Sequence, residues 1–273
     1  MKTVIITDSA SDLPPELTKE YQIEVFPFSV LLNDVNYLDG ITLSTPQLYQ
    51  AMRNGQTPKT AQVNPMIMKE SFLNHARKGE TCIYIAFSGA LSGTYQTSLL
   101  IAEEVKELYP DFDIEIIDSK GGSLATGMVV LKAAQMARAG KDKAEIVHFA
   151  RNQSPHIEHV FTVDNLETLY RGGRPILHVE NGRIALLQLA RGKRRAIEKL
   201  LEIMEARCVK VKSQIIGIAH ADDLDTALSL KALIEERFGF NRFLINLIGS
   251  VIGAHIGIGG VGIFFANEIY SES

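Results

Sequence analysis

Short apolar runs alternate with segments of helical periodicity along the first half of the chain. The clearest helix is predicted shortly after residue 93, where apolar and small residues recur at intervals of three and four: Ser98, Ile101, Ala102, Val105, Leu108 and Tyr109. Pro110 ends this pattern. Apolar runs at residues 3–7, 23–32, 81–87 and 112–117 predict buried strands. Because strands and helices alternate, the pattern predicts a mostly parallel sheet with helices on both faces.

The second half of the chain follows a different pattern. Apolar runs at residues 176–179 and 183–189 flank Asn181-Gly182, and Asn-Gly between two such runs is the strongest short signal for a hairpin. An antiparallel hairpin does not belong in a purely parallel sheet. We therefore predict an α/β chain of two domains. Residues 1–160 form the parallel domain, and residues 161–273 form an α/β domain with a mixed sheet.

One stretch is long enough to cross a membrane. Residues 243–265 contain no Asp, Glu, Lys or Arg, but they include six glycines and His255. Glycine is a poor helix former, and Ile, Val and Phe dominate the remainder. The stretch therefore predicts two buried strands joined by a glycine loop. The apolar run near the N-terminus is too short for a signal-peptide core, so we expect no transmembrane or secretory segment.

Composition narrows the class of protein. The 273 residues include 28 Lys and Arg against 32 Asp and Glu, a net charge of −4. This charge argues against nucleic acid as the main partner. The two cysteines, Cys82 and Cys208, exclude a disulfide scaffold and fit a reducing compartment. No Cys or His spacing is typical of structural zinc. We therefore expect a cytoplasmic protein without a metal centre.

Three loops that follow predicted strands carry hydroxyl, carboxyl and glycine residues: residues 7–14, 88–95 and 118–123. Loops at the carboxyl ends of parallel strands form ligand sites in open α/β sheets. The same residue types also cap helices and form turns, which is the favoured interpretation for the first and third loops. In the second loop, Ser92 and Gly93 precede a helix. That position suits a helix cap and an anion site equally well.

Three other features have two interpretations each. Arg171 and Arg174 surround two glycines and could bind an anion, although exposed arginines are more often merely solvated. His255 lies in a glycine-rich segment, where it is either a core residue or a ligand contact that the glycines make accessible. The basic residues between Arg191 and Arg195 are either a solvated helix start or a docking patch.

Five of these segments, taken in order, resemble the DegV family of bacterial fatty-acid-binding proteins, which includes the binding subunits of fatty acid kinase. The segments are Thr7-Asp8-Ser9 with Asp12-Leu13-Pro14, Ser92-Gly93-Thr94-Tyr95, Asp118-Ser119, Gly172-Gly173-Arg174 and Gly253-Ala254-His255. The resemblance covers nearly the whole chain. It implies two α/β domains with one long-chain fatty acid, such as palmitate, buried between them.

The resemblance also implies which residues bind the ligand. A hydroxyl pair would hold the carboxylate: Ser92, and Thr60 in a segment that departs from the family pattern at Ala61, Val63 and Asn64. The late family motif has Ile258 in place of a proline. The ligand-binding residues implied by the resemblance are Thr60, Gln62, Ser92, Gly93, Arg174 and His255.

The resemblance thus implies a carrier without catalysis or a cofactor of its own. It would present the fatty-acid carboxylate to a separate kinase subunit that makes the acyl phosphate, and it allows transient membrane contact. An alternative is an acyl-transfer or hydrolytic enzyme with Ser92 as nucleophile, His255 as base, and Asp118 or Asp8 to orient it. Ser92 lies in G-x-x-S-G, however, and not in the G-x-S-x-G of a nucleophile elbow. A third hypothesis is a lipid sensor that docks a partner through the basic cluster.

Overall fold

A computed structural model describes residues 3–164 and 173–270 of the chain. The strands within these ranges are β1 (Thr3–Asp8), β2 (Glu24–Phe26), β3 (Ser29–Leu32), β4 (Val35–Leu38), β5 (Lys59–Ala61), β6 (Thr81–Ala86), β7 (Ile114–Asp118), β8 (Ile157–Thr162), β9 (Arg174–Glu180), β10 (Arg183–Ala190), β11 (Ile216–His220), β12 (Phe243–Leu247) and β13 (Val261–Ala266). The α-helices are α1 (Pro15–Glu20), α2 (Thr45–Arg53), α3 (Pro65–Lys78), α4 (Thr94–Leu108), α5 (Ser123–Arg138), α6 (Lys143–Gln153), α7 (Gly192–Arg207), α8 (Leu224–Phe238) and α9 (Ser250–Ile256).

The first half of the chain builds a four-stranded parallel sheet in the order β2-β1-β6-β7. Its central strands are aliphatic on both faces because helices cover both faces. Ile5 and Ile83 belong to one hydrophobic cluster with residues of α5 and α6. Ile6 and Tyr84 belong to a second cluster with residues of α3 and α4. This half therefore confirms the predicted parallel sheet with helices on both faces.

The second half builds a six-stranded mixed sheet in the order β10-β9-β8-β13-β11-β12. Only β11 and β12 pair in parallel, and the other neighbours pair antiparallel. The β9–β10 hairpin confirms the prediction made from Asn181-Gly182. Asn181 has a φ of 50° and Gly182 a φ of 79°. Positive φ at both central residues is what a tight type I′ turn needs.

The single strand predicted over residues 23–32 is wrong. The strand is interrupted at Pro27, which has no N–H to donate to a neighbouring strand. β2 ends before this proline in the parallel sheet, and β3 begins after it in a separate antiparallel sheet of order β4-β3-β5. Neither β4 nor β5 was predicted from the sequence. Both are short and mostly exposed, so they lack the alternation that marks a half-buried strand.

The C-terminal stretch is partly as predicted. β12 and β13 are the two expected strands, but the segment between them contains the helix α9 where a glycine loop was expected. Two of its glycines make close contacts with the first half of the chain. A Cβ atom on Gly249 would lie 2.6 Å from Asp12 Oδ1, and one on Gly253 would lie 2.5 Å from Tyr49 Oη. In the described part of the chain, no helix is long and apolar enough to cross a membrane.

The two large sheets share one hydrophobic cluster. Ile83 of the parallel sheet and Leu177 and Phe264 of the mixed sheet all belong to it. β8 extends across residues 160 and 161, where the sequence pattern placed the domain boundary, and it lies wholly in the mixed sheet. The division into domains at residue 160 therefore stays a prediction.

Asp12 links the two halves of the chain directly. Its Oδ1 accepts from the N–H of Gly249 at 2.9 Å, and its Oδ2 lies 2.5 Å from Ser123 Oγ at the start of α5. Its backbone oxygen accepts from Asn246 Nδ2 at 2.7 Å. Burial of the carboxyl group, reinforced by Asp39 and Asp8, raises the pKa of Asp12 from 3.8 to about 8. The Asp12 side chain is therefore mainly protonated at neutral pH, and it links the two halves as an uncharged carboxyl group.

We expect Asp12→Asn to remove part of the pH dependence of stability. A raised pKa means that the folded state of the native chain binds an extra proton between about pH 4 and pH 8, so its stability falls as pH rises through that range. Asn keeps a similar shape and does not titrate. Relative to Asp12→Asn, the native chain should lose on the order of 2 kcal/mol of unfolding free energy between pH 6 and pH 8. Urea unfolding of both proteins across this range is the measurement, and parallel profiles would contradict the prediction.

Candidate functional site

A polar cleft of about 550 Å³ opens where α9 meets β5 and the start of α4. Five of the six predicted ligand-binding residues line it: Thr60, Gln62, Ser92, Gly93 and His255. The sequence separates Thr60 from His255 by 195 residues. The fold therefore assembles a single polar surface from three distant segments. The remaining lining residues are largely apolar: Phe28, Ala61, Phe87, Leu91, Ile184, Val251, Ile252 and Ile256.

Thr60 and His255 contact each other at one side of this cleft. Thr60 is held by the pairing of β5 with β3, in which it lies opposite Val30. His255 occupies the last turn of α9 and is exposed. The Oγ1 atom of Thr60 lies 2.7 Å from Nε2 of His255. A hydroxyl group and an imidazole ring thus stand side by side. With the ring donating from Nε2 to Oγ1, the hydroxyl proton of Thr60 remains available to an anion.

Ser92 and Gly93 line the same cleft at the N-terminal end of α4. Ser92 Oγ accepts from the N–H of Thr94 at 3.2 Å and lies 2.9 Å from Thr94 Oγ1. The N-cap position itself is Gly93, one residue later than the sequence predicted. A Cβ atom on Gly93 would lie 2.6 Å from Gln62 Oε1, so glycine lets Gln62 lie against the helix end. The end of a 15-residue helix also favours negative charge through its dipole.

An apolar cavity adjoins the polar cleft. It lies between one face of the mixed sheet and the loops at the carboxyl ends of the parallel strands, and its volume is about 70 Å³. Phe161, Val179 and Phe264 line it from the sheet. The cavity and the cleft share five lining residues: Phe87, Leu91, Ile184, Ile252 and Ile256. The site therefore has a polar mouth and an apolar interior.

His159 is a polar side chain in this apolar cavity that no sequence motif marked as a site residue. It is buried on β8, and its ring packs edge-on against Phe264 with the centroids 5.7 Å apart. Its Nε2 accepts from the N–H of Gly122 at 3.1 Å, and its Nδ1 donates to the carbonyl oxygen of Ile157 at 2.9 Å. Burial lowers the pKa of His159 to about 4. The imidazole is therefore neutral at neutral pH and brings no charge into the cavity.

The carboxylates of the first and third loops shape the wall of the cavity. Asp8 is buried and accepts from the N–H of Phe87 at 2.8 Å and from the hydroxyl of Tyr84 at 3.0 Å. Burial raises the pKa of Asp8 to about 6. Asp118 accepts from the N–H groups of Gly89 and Lys120 at 3.1 and 2.8 Å. Both side chains hold the loop that follows β6, in line with the structural interpretation favoured for these segments.

The β9–β10 hairpin closes the site from the side of the mixed sheet. Ser88, in the loop after β6, donates from Oγ to the carbonyl oxygen of Gly182 at 2.8 Å in a buried hydrogen bond. A Cβ atom on Gly182 would lie 2.7 Å from the same Oγ, so only glycine fits here without displacing the serine. This contact fixes the hairpin turn, and Ile184, two residues beyond Gly182, lines both the cleft and the cavity.

Arg174 is the predicted site residue that the structure places elsewhere. It is buried at the start of β9, forms an ion pair with Asp164, and does not appear among the residues that line the cleft or the cavity. A role for Arg174 in binding therefore stays a prediction. Arg171 and Gly172 of the same segment lie outside the described residues.

The catalytic triad of the alternative hypothesis is not assembled around His255. Its ring bonds to Thr60, whereas Asp8 and Asp118 accept from backbone N–H groups of the loop after β6.

Two residues of the basic cluster between Arg191 and Arg195 lie close to acidic side chains of this chain. Lys193 pairs with Asp223, and Arg195 lies near two glutamates of α7. Over residues 3–164 and 173–270, no group of three His, Cys, Asp or Glu residues could hold a metal ion.

Comparison with known protein families shows to which family the chain belongs. The family model described as "Uncharacterised protein, DegV family" matches residues 2–268. The chain belongs to the DegV family. A DegV domain-containing protein of Clostridium perfringens, CPE0026, is 36% identical over 285 residues, which cover 98% of each chain.

Solved DegV structures share the fold. A DegV family protein from Thermus thermophilus, described as binding fatty acid, has a TM-score of 0.87 and 26% identity over 97% of this chain and 100% of its own. Thermotoga maritima TM841, described as having a fatty acid binding function, has a TM-score of 0.85 and 26% identity over 97% and 98%. The fatty acid kinase B3 protein of Streptococcus pneumoniae, solved with linoleic acid, shares the fold at 21% identity, with a TM-score of 0.84 and coverage of 98% and 100%.

We expect Ser88→Ala to loosen the hairpin that closes the site. The substitution removes the only side-chain donor to the buried Gly182 oxygen among the described residues, and an unsatisfied buried acceptor costs about 1–3 kcal/mol. Thermal unfolding should report that loss, and amide exchange in β10 should become faster than in β8. Ser98→Ala is the matched control because this buried serine bonds within α4, to the Tyr95 carbonyl oxygen. Equal exchange changes in both variants would contradict the prediction.

Proposed function

We propose that this DegV protein binds a long-chain fatty acid, with the carboxylate in the polar cleft and the acyl chain in the apolar cavity. The observation that carries the proposal is the convergence of Thr60, Ser92 and His255 at the mouth of an apolar interior. The fatty acid binding described for the Thermus and Thermotoga relatives supports it.

The polar cleft supplies what a carboxylate needs when it leaves water. Each hydrogen bond to a charged group contributes roughly 1.5–3 kcal/mol. Thr60 and Ser92 both bring hydroxyl groups to the cleft, and His255 adds a ring nitrogen beside Thr60. The dipole of α4 favours the negative charge at the Ser92 side. In this proposal the head-group residues set the orientation of the ligand.

The apolar interior supplies most of the affinity. An acyl chain with about 14 buried methylenes gains on the order of 11 kcal/mol before costs, at about 0.8 kcal/mol for each methylene. Association entropy and chain ordering remove much of this gain. The cavity of about 70 Å³ accommodates only part of such a chain. Binding therefore requires the side chains shared by cleft and cavity, such as Leu91 and Ile184, to move apart.

We further propose that the protein is a carrier and not the catalyst. The cleft opens to solvent beside the exposed His255 and Gly93, so a separate kinase could reach the bound carboxylate and form the acyl phosphate. The shared fold of the streptococcal kinase-system protein fits this role. Free thiols at Cys82 and Cys208 fit a cytoplasmic carrier.

The first experiment is to identify what the purified protein carries. The native chain is isolated without added lipid, denatured and extracted, and the extract is analysed by mass spectrometry. The proposal expects about one long-chain fatty acid for each chain. A protein that arrives empty and also fails to take up palmitate and oleate would overturn it.

A second experiment separates the carrier from an acyl enzyme. The loaded protein is incubated with ATP and Mg²⁺, with and without a fatty acid kinase subunit, and acyl phosphate is trapped with hydroxylamine. The proposal expects product only when the kinase is present. Product from the carrier alone, or covalent labelling of Ser92 by a fluorophosphonate, would favour the enzyme.

We expect Thr60→Val and Ser92→Ala each to weaken fatty-acid binding by about 10- to 150-fold, the equivalent of one hydrogen bond to a charged group. Neither side chain is part of the core, so Thr60→Val should change thermal stability little, whereas Ser92→Ala also loses the bonds to Thr94 at the start of α4 and should cost about 0.5–2 kcal/mol. Titration with a fluorescent fatty acid gives the affinities. Ser229→Ala, an exposed serine on α8 remote from the cleft, is the control. Unchanged affinity in the double variant would remove both residues from the site.

A further inference from the structure

The helix that carries His255 is too short to hold its own orientation. α9 has seven residues, whereas isolated helices shorter than about 12 residues are marginal in water. Its position must come from contacts with the rest of the chain. Those contacts come mainly from the first half of the sequence, and they involve residues outside the polar cleft.

Two buried carboxyl groups of the first half lie at the start of this helix. Asp12 Oδ1 accepts from the N–H of Gly249, the N-cap residue, at 2.9 Å, and Asp39 lies beside Ser250, the first residue of α9. Both carboxyl groups are only 5% exposed. The N-terminal end of α9 is thus fixed by buried hydrogen bonds that solvent does not reach.

Tyr49 of α2 supplies a third anchor. Its side chain is fully buried, and its hydroxyl donates to the carbonyl oxygen of Ile248 at 2.9 Å. The tyrosine ring also occupies the space above Gly253, where a Cβ atom would lie 2.5 Å from Oη and 3.0 Å from Cζ. Tyr49 therefore contacts the chain just before α9 and also Gly253, two residues before His255. These two contacts restrict the position of the helix and its rotation about its own axis.

The other end of the helix makes the contact that matters for the ligand. His255 meets Thr60 at 2.7 Å, and Thr60 lies on β5, a strand that follows α2 in the chain. Because α9 is only about two turns long, a shift at its anchored end also displaces its last turn. A change at Tyr49 should therefore alter the geometry of the Thr60–His255 pair.

We propose that Tyr49, Asp12 and Asp39 are positioning residues for the head-group site: they anchor α9 from the first half of the chain and so hold His255 beside Thr60 for a carboxylate. This inference rests on the proposed function for its consequence in binding. The anchoring itself can be tested in the protein without ligand.

The test compares two ligands of the same chain length, a fatty acid and the primary fatty alcohol. Tyr49→Phe removes only the hydroxyl that bonds to Ile248, and Gly253→Ala adds a methyl group against the Tyr49 ring. Both variants should weaken binding of the acid by about fivefold to tenfold relative to the alcohol. This is the loss of affinity expected when one hydrogen bond to the carboxylate is misaligned. Ser154→Ala is the matched control, since its buried hydroxyl also donates to a backbone carbonyl oxygen, that of Ala150 at 2.6 Å, and Ser154 lines neither the cleft nor the cavity.

A second readout is independent of the ligand. The His255 ring signals in a ¹H–¹⁵N spectrum of the unliganded protein should shift in Tyr49→Phe and Gly253→Ala and stay in place in Ser154→Ala. Unmoved His255 signals, or equal weakening of the acid and the alcohol, would overturn the positioning role. A native chain that binds neither ligand would overturn the proposed function, while the His255 signals would still decide the anchoring.

Discussion

The arrangement of the site depends on one buried carboxyl group at the junction of the two sheets. Asp12 follows β1, and its side chain contacts the starts of α5 and α9. α5 covers the parallel sheet, and α9 carries His255 to the cleft. Because burial raises the pKa of Asp12 to about 8, the junction is not a buried charge at neutral pH. Such a group fixes geometry without the large desolvation cost of an isolated ion.

The position of the cavity follows from the directions of the two sheets. The parallel strands β1, β6 and β7 end at one edge, and their loops face the mixed sheet. The loops supply the apolar Phe87 and Leu91 to the cavity and Ser92 and Gly93 to the cleft, whereas the sheet face supplies aromatic and branched side chains such as Phe161 and Val179. A ligand with one charged end and a long apolar body matches this division. Ligand sites outside the carboxyl ends of parallel strands are general for open α/β sheets.

Several residues that resemble ligand contacts in the sequence serve the protein's own backbone. Asp8 and Asp118 accept hydrogen bonds from the loop after β6, and Gly249 and Gly253 make room for Asp12 and Tyr49. Acidic side chains at strand ends and dense glycine suit both uses, because close approach of backbone is the shared requirement. Which use applies depends on which group of the folded chain approaches the acidic side chain or the glycine, and local sequence patterns do not show this.

The sequence by itself determined the alternation of strands and helices, the parallel first sheet, the β9–β10 hairpin and the affiliation with DegV proteins. These features rest on local periodicity, on turn chemistry at Asn181-Gly182 and on short ordered motifs. The tertiary structure alone decided that Thr60 meets His255, that Arg174 pairs with Asp164 and does not line the cleft, and that α9 replaces a loop. The hydrophobic pattern also did not predict the short strands β4 and β5. In each case the deciding contact joins residues far apart in the chain, and local patterns carry no record of such partners.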